Sequence, residues 1–242
     1  MEGVSFSYDG KRTVLDDIDV TFAAGKVTAI VGTNGAGKST LVSLISRFYD
    51  PGQGRITIDG KDVRDVTLAS LRRRVSFSLQ DTSLLSGSVR DNVLLAKPDA
   101  SDEEIVQTLA DLGGIDIVNR LPDGLDTDVG DAGATLSPGQ RQVVALTRTI
   151  MADPSTFILD EFTSGLDVLT EARLLEALDR MLADRTRIVI AHRLGMVKRA
   201  DHIVVMDAGR AVEQGNHESL MRQGGTYARM QEESRRLHVT AA

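Results

Sequence analysis

The hydrophobic pattern along the chain predicts two kinds of β-strand. Four short segments are almost continuously apolar and rich in β-branched residues: VTAIV (27–31), TFILD (156–160), RIVIA (187–191) and HIVVM (202–206). Strands that helices cover on both faces have this composition, so these segments predict the parallel sheet of an α/β fold. Near the N-terminus, VSFSY, IDVTF and RITID alternate instead, which predicts half-buried strands of an antiparallel sheet.

The segment between Gln80 and about Met151 has a helical pattern. Ser101 and Glu104 have the spacing of a capping box, which predicts the start of the helix SDEEIVQTLADLG. We therefore expect a single domain. Its α/β core with an N-terminal antiparallel β subdomain is predicted over 1–80 and 152–242, and an inserted helical subdomain over 81–151.

Composition narrows the functional classes. A net charge of -7 and a pI near 5.1 argue against nucleic-acid binding through a basic face, and we interpret the cluster Arg72-Arg73-Arg74 as a solvated helix end. The absence of cysteine excludes disulfides and thiolate metal sites. The N-terminus does not resemble a signal peptide, and no apolar segment approaches the roughly 20 residues that span a bilayer, so we expect a soluble chain.

A glycine-rich segment, GTNGAGKST (32–40), lies between the predicted strand VTAIV and a helical segment. It fits the phosphate-loop pattern Gly-x-x-x-x-Gly-Lys-Ser, in which backbone N–H groups and a helix N-terminus surround a polyphosphate. Lys38 is expected to reach the β- and γ-phosphates, and Ser39 to ligate Mg²⁺. The predicted nucleotide-binding residues of this segment are Thr33, Asn34, Gly35, Ala36, Gly37, Lys38, Ser39 and Thr40.

A second motif, FILDE (157–161), ends a buried strand with two carboxylates. Asp160 at such a strand end can hold Mg²⁺ through water, and Glu161 could polarise a water that attacks the γ-phosphate. Alone, the pair would be read as surface carboxylates. Together with the phosphate loop, it predicts a P-loop NTPase core of the RecA-like type.

From about Val4 to about Arg235, the chain resembles the ATP-binding cassette (ABC) ATPases, and more narrowly the nucleotide-binding domains of ABC exporters. The resemblance implies that Tyr8 stacks on adenine and that Asp167, in SGLD (164–167), helps set the geometry between two active sites. It implies that Gln80 contacts Mg²⁺ and the attacking water, and that His192 contacts the γ-phosphate. By the same resemblance, the catalytic residues are Glu161, His192, Lys38 and Gln80, and the Mg²⁺ ligands are Ser39, Gln80 and Asp160.

The segment TLSPGQRQ (135–142) resembles the signature motif of the family, usually Leu-Ser-Gly-Gly-Gln. In the family, this motif begins a helix whose N-terminus points at ATP bound by the other protomer of a head-to-tail dimer. The resemblance therefore implies that Ser137, Gly139 and Gln140 contact the partner's nucleotide.

Pro138 departs from the signature pattern, and two interpretations remain open. In the first, Ser137 is the N-cap, Pro138 occupies the first helical position and Gln140 closes a capping box, so that the helix geometry survives. In the second, loss of an N–H and of a glycine weakens contact with the partner's ATP, as in the poorer half of an asymmetric heterodimer. We favour the first.

Two further segments favour an exporter. TDVGDAG (127–133) resembles the TxVGExG loop of exporters, with Asp131 for the usual glutamate, and LLSGSVRDNV follows Gln80. The expected partners are a second nucleotide-binding domain and a transmembrane domain, fused or separate, which would place the chain at the cytoplasmic face of the membrane. The alternatives are a stand-alone importer ATPase subunit and a cassette protein acting on DNA or the ribosome. The acidic charge disfavours the latter, and nucleic acid is not an expected partner.

Overall fold

The structure is a computed structural model that describes residues 1–78, 84–114, 121–160, 168–191 and 197–240. The chain forms two compact units, one of Met1–Arg72 with Arg185–Ala242 and one of Arg73–Asp184. The predicted helical segment, 81–151, lies within the second unit. Among the described residues, no helix combines the length and the apolar character needed to cross a membrane.

Parallel strands form the centre of the first unit. Its strands here are β3 (Val27–Gly32), β9 (Thr186–Ile190), β10 (His202–Asp207) and β11 (Arg210–Gly215). β3 pairs in parallel with β10 on one side and β9 on the other, and β11 pairs antiparallel with β10. The middle of β3 is buried, with Ile30 0% exposed. The predicted parallel core with strands covered on both faces is confirmed for these three strands.

The N-terminal antiparallel sheet is also confirmed, with two corrections to the predicted strand limits. It has the order β2-β1-β4, with β1 at Glu2–Phe6, β2 at Leu15–Ile18 and β4 at Gln53–Arg55. The prediction that IDVTF is one strand was wrong, since β2 ends at Ile18. The Asp19 carboxylate accepts the Gly3 N–H at 2.8 Å, so a side chain takes the place of a main-chain carbonyl. Val20 is nevertheless 2% exposed, as the alternation requires.

The segment RITID was predicted as one strand and forms parts of two. Its beginning belongs to β4, whereas β5 (Thr57–Ile58) turns away to pair with β6 (Lys61–Asp62). Asp59 and Gly60, with φ of 50° and 77°, make the tight turn between β5 and β6. An Asp-Gly pair favours this hairpin geometry, which explains why the strand does not continue.

Helices complete the first unit. They are α1 (Lys38–Ile45), α2 (Leu68–Arg74), which contains the boundary between the units, α7 (His217–Gln223) and α8 (Thr226–Thr240). The Arg72-Arg73-Arg74 cluster is exposed at the end of α2, as predicted. The Glu213 carboxylate accepts the N–H groups of Thr226 and Tyr227 and so caps the start of α8.

The second unit contains a parallel strand pair and a helical cluster. β7 (Val75–Ser78) pairs in parallel with β8 (Thr156–Asp160). Within its described residues, the helices are α3 (Val89–Leu94), α4 (Asp102–Asp111), α5 (Pro138–Met151) and α6 (Val168–Met181). The predicted capping box of Ser101 and Glu104 is present at the start of α4.

Helices α3, α4 and α5 share a hydrophobic core of their own. Its buried members include Val93 on α3, Leu109 on α4 and Val144 on α5. The predicted helical insertion with its limits, 81–151, stays a prediction.

Truncation of Leu109 tests this core. Leu109 is 0% exposed, so we expect Leu109→Ala to lower the unfolding free energy by about 2–5 kcal/mol through lost contacts and a residual cavity. Val106→Ala on the same helix is the control, because Val106 is 38% exposed and little should change. Urea unfolding followed by circular dichroism measures both. Equal losses would contradict a core at Leu109.

Candidate nucleotide-binding site

The predicted phosphate loop connects β3 to α1 in the first unit. Lys38, the first residue of α1, is 6% exposed, and its Nζ donates to the carbonyl oxygens of Gly32 at 2.8 Å and Thr33 at 3.0 Å. These bonds hold the ammonium group against the first residues of the loop. Residues Thr33, Asn34 and Gly35 are exposed. The loop therefore presents main chain to solvent beside a fixed positive charge.

Gly37 determines how the loop enters α1. It occupies the N-cap position with φ 99°, and a Cβ there would lie 2.7 Å from Leu15 Cδ2. Left-handed backbone and close packing both favour glycine at this position. Within the described residues no side chain caps α1, in contrast to α3, α4, α5 and α7. An α-helix N-terminus of this kind stabilises phosphate through its backbone N–H groups and dipole.

The turn between β10 and β11 packs against the phosphate loop. The Gly209 N–H donates to the Ala36 carbonyl at 3.2 Å, and the Gly209 carbonyl accepts the Asp16 N–H at 2.9 Å. A Cβ on Gly209, which has φ 80°, would lie 2.4 Å from the Val14 carbonyl oxygen. This contact was not predicted. Ala208-Gly209 indicates a turn, but no local pattern shows what that turn packs against.

The two hydroxyl residues that follow Lys38 have different environments. Ser39 is exposed, whereas Thr40 is 8% exposed. The Thr40 Oγ1 lies 3.0 Å from the Tyr8 hydroxyl oxygen, within hydrogen-bond distance. Tyr8 is 55% exposed, so its ring is accessible to a ligand. The structure thus brings the predicted base-stacking residue to the predicted phosphate loop.

Asp9 stabilises the turn that follows Tyr8. Its carboxylate accepts hydrogen bonds from the backbone N–H groups of Arg12 and Lys11 and from the Ser7 hydroxyl. These bonds, with that from Arg12 the largest cause, hold the pKa of Asp9 below its ordinary value. The carboxylate therefore stays charged to a lower pH than that of an aspartate without these bonds, and its charged form favours one conformation of the turn.

The structure describes the predicted Mg²⁺ ligand Asp160 but not four other predicted site residues. In the second unit, Asp160 ends β8 and is 7% exposed, at the strand end where the prediction placed it. Gln80, Glu161, Asp167 and His192 lie outside the described residues.

Ser137, Gly139 and Gln140 come together at the start of α5. The Ser137 hydroxyl accepts the Gln140 N–H at 3.3 Å, and the Gln140 side-chain oxygen accepts the Ser137 N–H at 2.8 Å. Pro138 occupies the first helical position. The first interpretation of Pro138 is confirmed for the helix itself, since the capping box forms and the proline does not distort it.

The two segments that favoured an exporter are hydrogen-bonded to each other. The Val129 N–H donates to the Gly87 carbonyl at 2.9 Å, and the Val89 N–H donates to the Thr127 carbonyl at 3.1 Å. Asn92 is 1% exposed, and its side-chain amide both accepts the Leu85 N–H and donates to the Leu85 carbonyl. LLSGSVRDNV and TDVGDAG thus form one paired structure, which separate inspection of the two segments did not predict.

Arg141 joins that paired structure to α5. Its guanidinium donates to the carbonyl oxygens of Leu136 at 2.6 Å and Gly133 at 3.3 Å. The Arg141 side chain and the Thr135 hydroxyl, which donates to the Asp128 carbonyl at 2.8 Å, therefore both tie the signature-like segment to TDVGDAG. Arg141 was not predicted as a site residue, because a polar residue on an amphipathic helix carries no signal of a main-chain contact.

Comparison with known proteins identifies this architecture. Residues 15–164 match the profile of the ABC transporter family. The chain belongs to that family. This ABC transporter domain is 44% identical over 227 residues to the uncharacterized ABC transporter ATP-binding protein YknV of Bacillus subtilis, covering 94% of the chain and 38% of YknV. Its structure matches a bacterial Atm1-family ABC exporter with ATP bound at a TM-score of 0.93 and 41% identity, covering 96% of this chain and 41% of that one.

Two other relatives carry names that mention transport. Over 225 residues the ABC domain is 44% identical to the beta-(1→2)glucan export ATP-binding/permease protein NdvA of Rhodopseudomonas palustris, covering 93% of the domain and 37% of NdvA. Over 227 residues it is 46% identical to the mycobactin import ATP-binding/permease protein IrtA of Mycolicibacterium thermoresistibile, covering 94% and 25%. The chain therefore spans less than half of the length of these relatives.

A matched pair of glycine variants tests the turn that supports the phosphate loop. Gly209 and Gly60 have nearly equal φ, 80° and 77°, but a Cβ meets the Val14 carbonyl at Gly209 and nothing within 4 Å at Gly60. We expect Gly209→Ala to lower both the melting temperature and the affinity for inorganic tripolyphosphate more than Gly60→Ala does. Calorimetry provides both readouts. Identical behaviour of the two variants would show that backbone strain alone, and not contact with the loop, matters at Gly209.

Proposed function

We propose that this ABC transporter domain binds and hydrolyses ATP in the presence of Mg²⁺ and that hydrolysis powers export of a substrate through a transmembrane domain. The observation that carries the proposal is the phosphate loop, with its buried Lys38 ammonium at the uncapped start of α1. The similarity to an Atm1-family exporter with ATP bound supports ATP as the nucleotide.

Lys38 and the α1 N-terminus would bind the β- and γ-phosphates. Both supply positive potential at a place where the main chain is already held by the Gly209 turn, so little reorganisation is needed when negative charge develops. Tyr8 would stack on adenine, and its hydroxyl oxygen lies 3.0 Å from that of Thr40 in the first turn of α1. The residues Thr33–Thr40 and Tyr8 would thus bind one nucleotide from base to γ-phosphate.

Hydrolysis requires a base and a metal in addition. Glu161 would orient the attacking water, His192 would contact the γ-phosphate, and Asp167 would adjust the geometry between two sites. Ser39, Asp160 and Gln80 would hold Mg²⁺, whose charge would stabilise the phosphates during transfer. The exposed Ser39 hydroxyl and the Asp160 carboxylate at the end of β8 are hard oxygen donors, which is the donor type that Mg²⁺ prefers.

A second copy or a homologous domain would complete the site. Ser137, Gly139 and Gln140 at the start of α5 would approach the γ-phosphate bound by the partner in a head-to-tail dimer. The intact capping box supports a productive contact despite Pro138. Whether the two domains are identical does not affect this arrangement.

The paired structure of LLSGSVRDNV and TDVGDAG supports export, as does the name of NdvA. The name of IrtA favours import as the second candidate. For export as for import, the chain would act at the cytoplasmic face of the membrane together with a transmembrane domain. Uptake and efflux of labelled substrate in inverted and right-side-out vesicles would decide between the two directions.

Substitution of Glu161 tests the proposed reaction. Glu161→Gln removes the carboxylate but keeps its shape, so we expect ATP binding to persist, turnover to fall by about 10²–10⁴-fold and an ATP-bound dimer to accumulate. Lys38→Ala is the control, and it should lose nucleotide affinity itself. ATP titration, phosphate release and gel filtration measure the three properties. An unchanged rate in Glu161→Gln would exclude its catalytic role.

Substitution of Pro138 tests the signature segment. We expect Pro138→Gly to leave ATPase activity of the assembled transporter nearly unchanged, because the capping box already has its proper geometry. The unfolding free energy should fall by about 0.4–1 kcal/mol, since glycine has more freedom in the unfolded chain. A large gain in ATPase rate would instead support the weakened-signature interpretation.

A further inference from the structure

The rings of Phe6, Tyr8 and Tyr49 form an aromatic cluster. The centroid of the Tyr8 ring lies 4.9 Å from that of Phe6 and 5.1 Å from that of Tyr49, and the interplanar angles are 84° and 87°. Phe6 and Tyr49 also contact each other, with centroids 5.6 Å apart. Edge-to-face pairs of this kind are favourable and directional. The Tyr8 ring is therefore oriented by its neighbours although it is 55% exposed.

The turn that carries Tyr49 is itself firmly held. Arg47 donates from Nη1 to the carbonyl oxygens of Val63 at 2.7 Å and Val66 at 2.8 Å, and from Nε to the Asp50 carboxylate at 3.0 Å. Arg47 and Asp50, which precede and follow Tyr49 in the chain, are thus bonded to each other. Tyr49 thus contacts Tyr8 from a fixed position, which a mobile surface residue could not do.

One segment of the chain supplies both contacts to Tyr8. Thr40, in the first turn of α1, lies within hydrogen-bond distance of the Tyr8 hydroxyl, and Tyr49 follows the end of the same helix. The aromatic ring and the phosphate loop are therefore connected through α1. A side chain that is ordered before its ligand arrives loses less conformational entropy on binding.

We propose that Thr40 and Tyr49 are positioning residues for Tyr8, which fix its ring relative to the phosphate loop before the base of a nucleotide binds. This inference rests on the proposed function, because it assigns the rigid aromatic cluster to recognition of the base. Thr40 acts through the hydroxyl of Tyr8 and Tyr49 through its ring.

Comparing a nucleotide with a ligand that has no base tests the role of Tyr49. We expect Tyr49→Ala to weaken ATP binding about three- to ten-fold and to leave binding of inorganic tripolyphosphate unchanged, because only the base uses the oriented ring. Tyr49→Phe keeps the ring and should bind ATP like the unaltered protein. Isothermal titration calorimetry measures both ligands.

A double-variant cycle tests the hydrogen bond to Thr40. Tyr8→Phe removes the hydroxyl and keeps the ring, and we expect a loss in ATP affinity relative to tripolyphosphate of about two- to ten-fold. Thr40→Val in that background should cause no further change in this ratio, whereas additive losses would show that the two groups act separately.

The outcomes distinguish failure of the positioning role from failure of the proposed function. Unchanged ATP binding in Tyr49→Ala, or equal weakening of ATP and tripolyphosphate, overturns the positioning role and leaves the proposed function standing. Failure of the unaltered protein to bind ATP at all overturns the proposed function together with this inference.

Discussion

Close contact between main-chain segments at the end of β3 is the constraint on which the phosphate loop depends. Ala36 in the loop is hydrogen-bonded to Gly209 in the β10–β11 turn, and Gly209 in turn is bonded to Asp16. Segments distant in the chain thereby meet with no side chain between them. A loop held on its outer side in this way keeps its shape without a ligand, and a preformed shape is what electrostatic catalysis requires.

In the second unit, the start of α5 is stabilised in a different way from the phosphate loop. The start of α5 is closed by its own capping box and tied to the preceding loop by Arg141. The hydrophobic core shared by α3, α4 and α5 contains no residue of a described strand. The phosphate loop depends on long-range contacts, whereas the signature-like segment depends on local ones. Pro138 is tolerated because it occupies the first helical position of α5, whereas Gly37 in the phosphate loop is favoured by its left-handed backbone and close packing.

The sequence was sufficient to predict elements whose signal is local. The continuous apolar segment of β3, the glycine-rich loop after it and the capping boxes at Ser101 and Ser137 each depend on residues within a few positions. The predicted strand limits were wrong where a side chain or a turn interrupts the strand pairing, as at Asp19 and at Asp59-Gly60. Gly209 and Tyr49 were missed because their importance arises from contacts with residues far away in the chain, which no local pattern encodes.

The reciprocal bonds between Ser137 and Gln140 have a consequence for the residue that follows Ser137. They satisfy two backbone N–H groups at the start of α5 without using the side chain or the missing N–H of Pro138. The identity of this one residue can therefore change while the bonds that begin the helix remain. Its own effect on the fold is then the small restriction that a proline ring places on the unfolded chain.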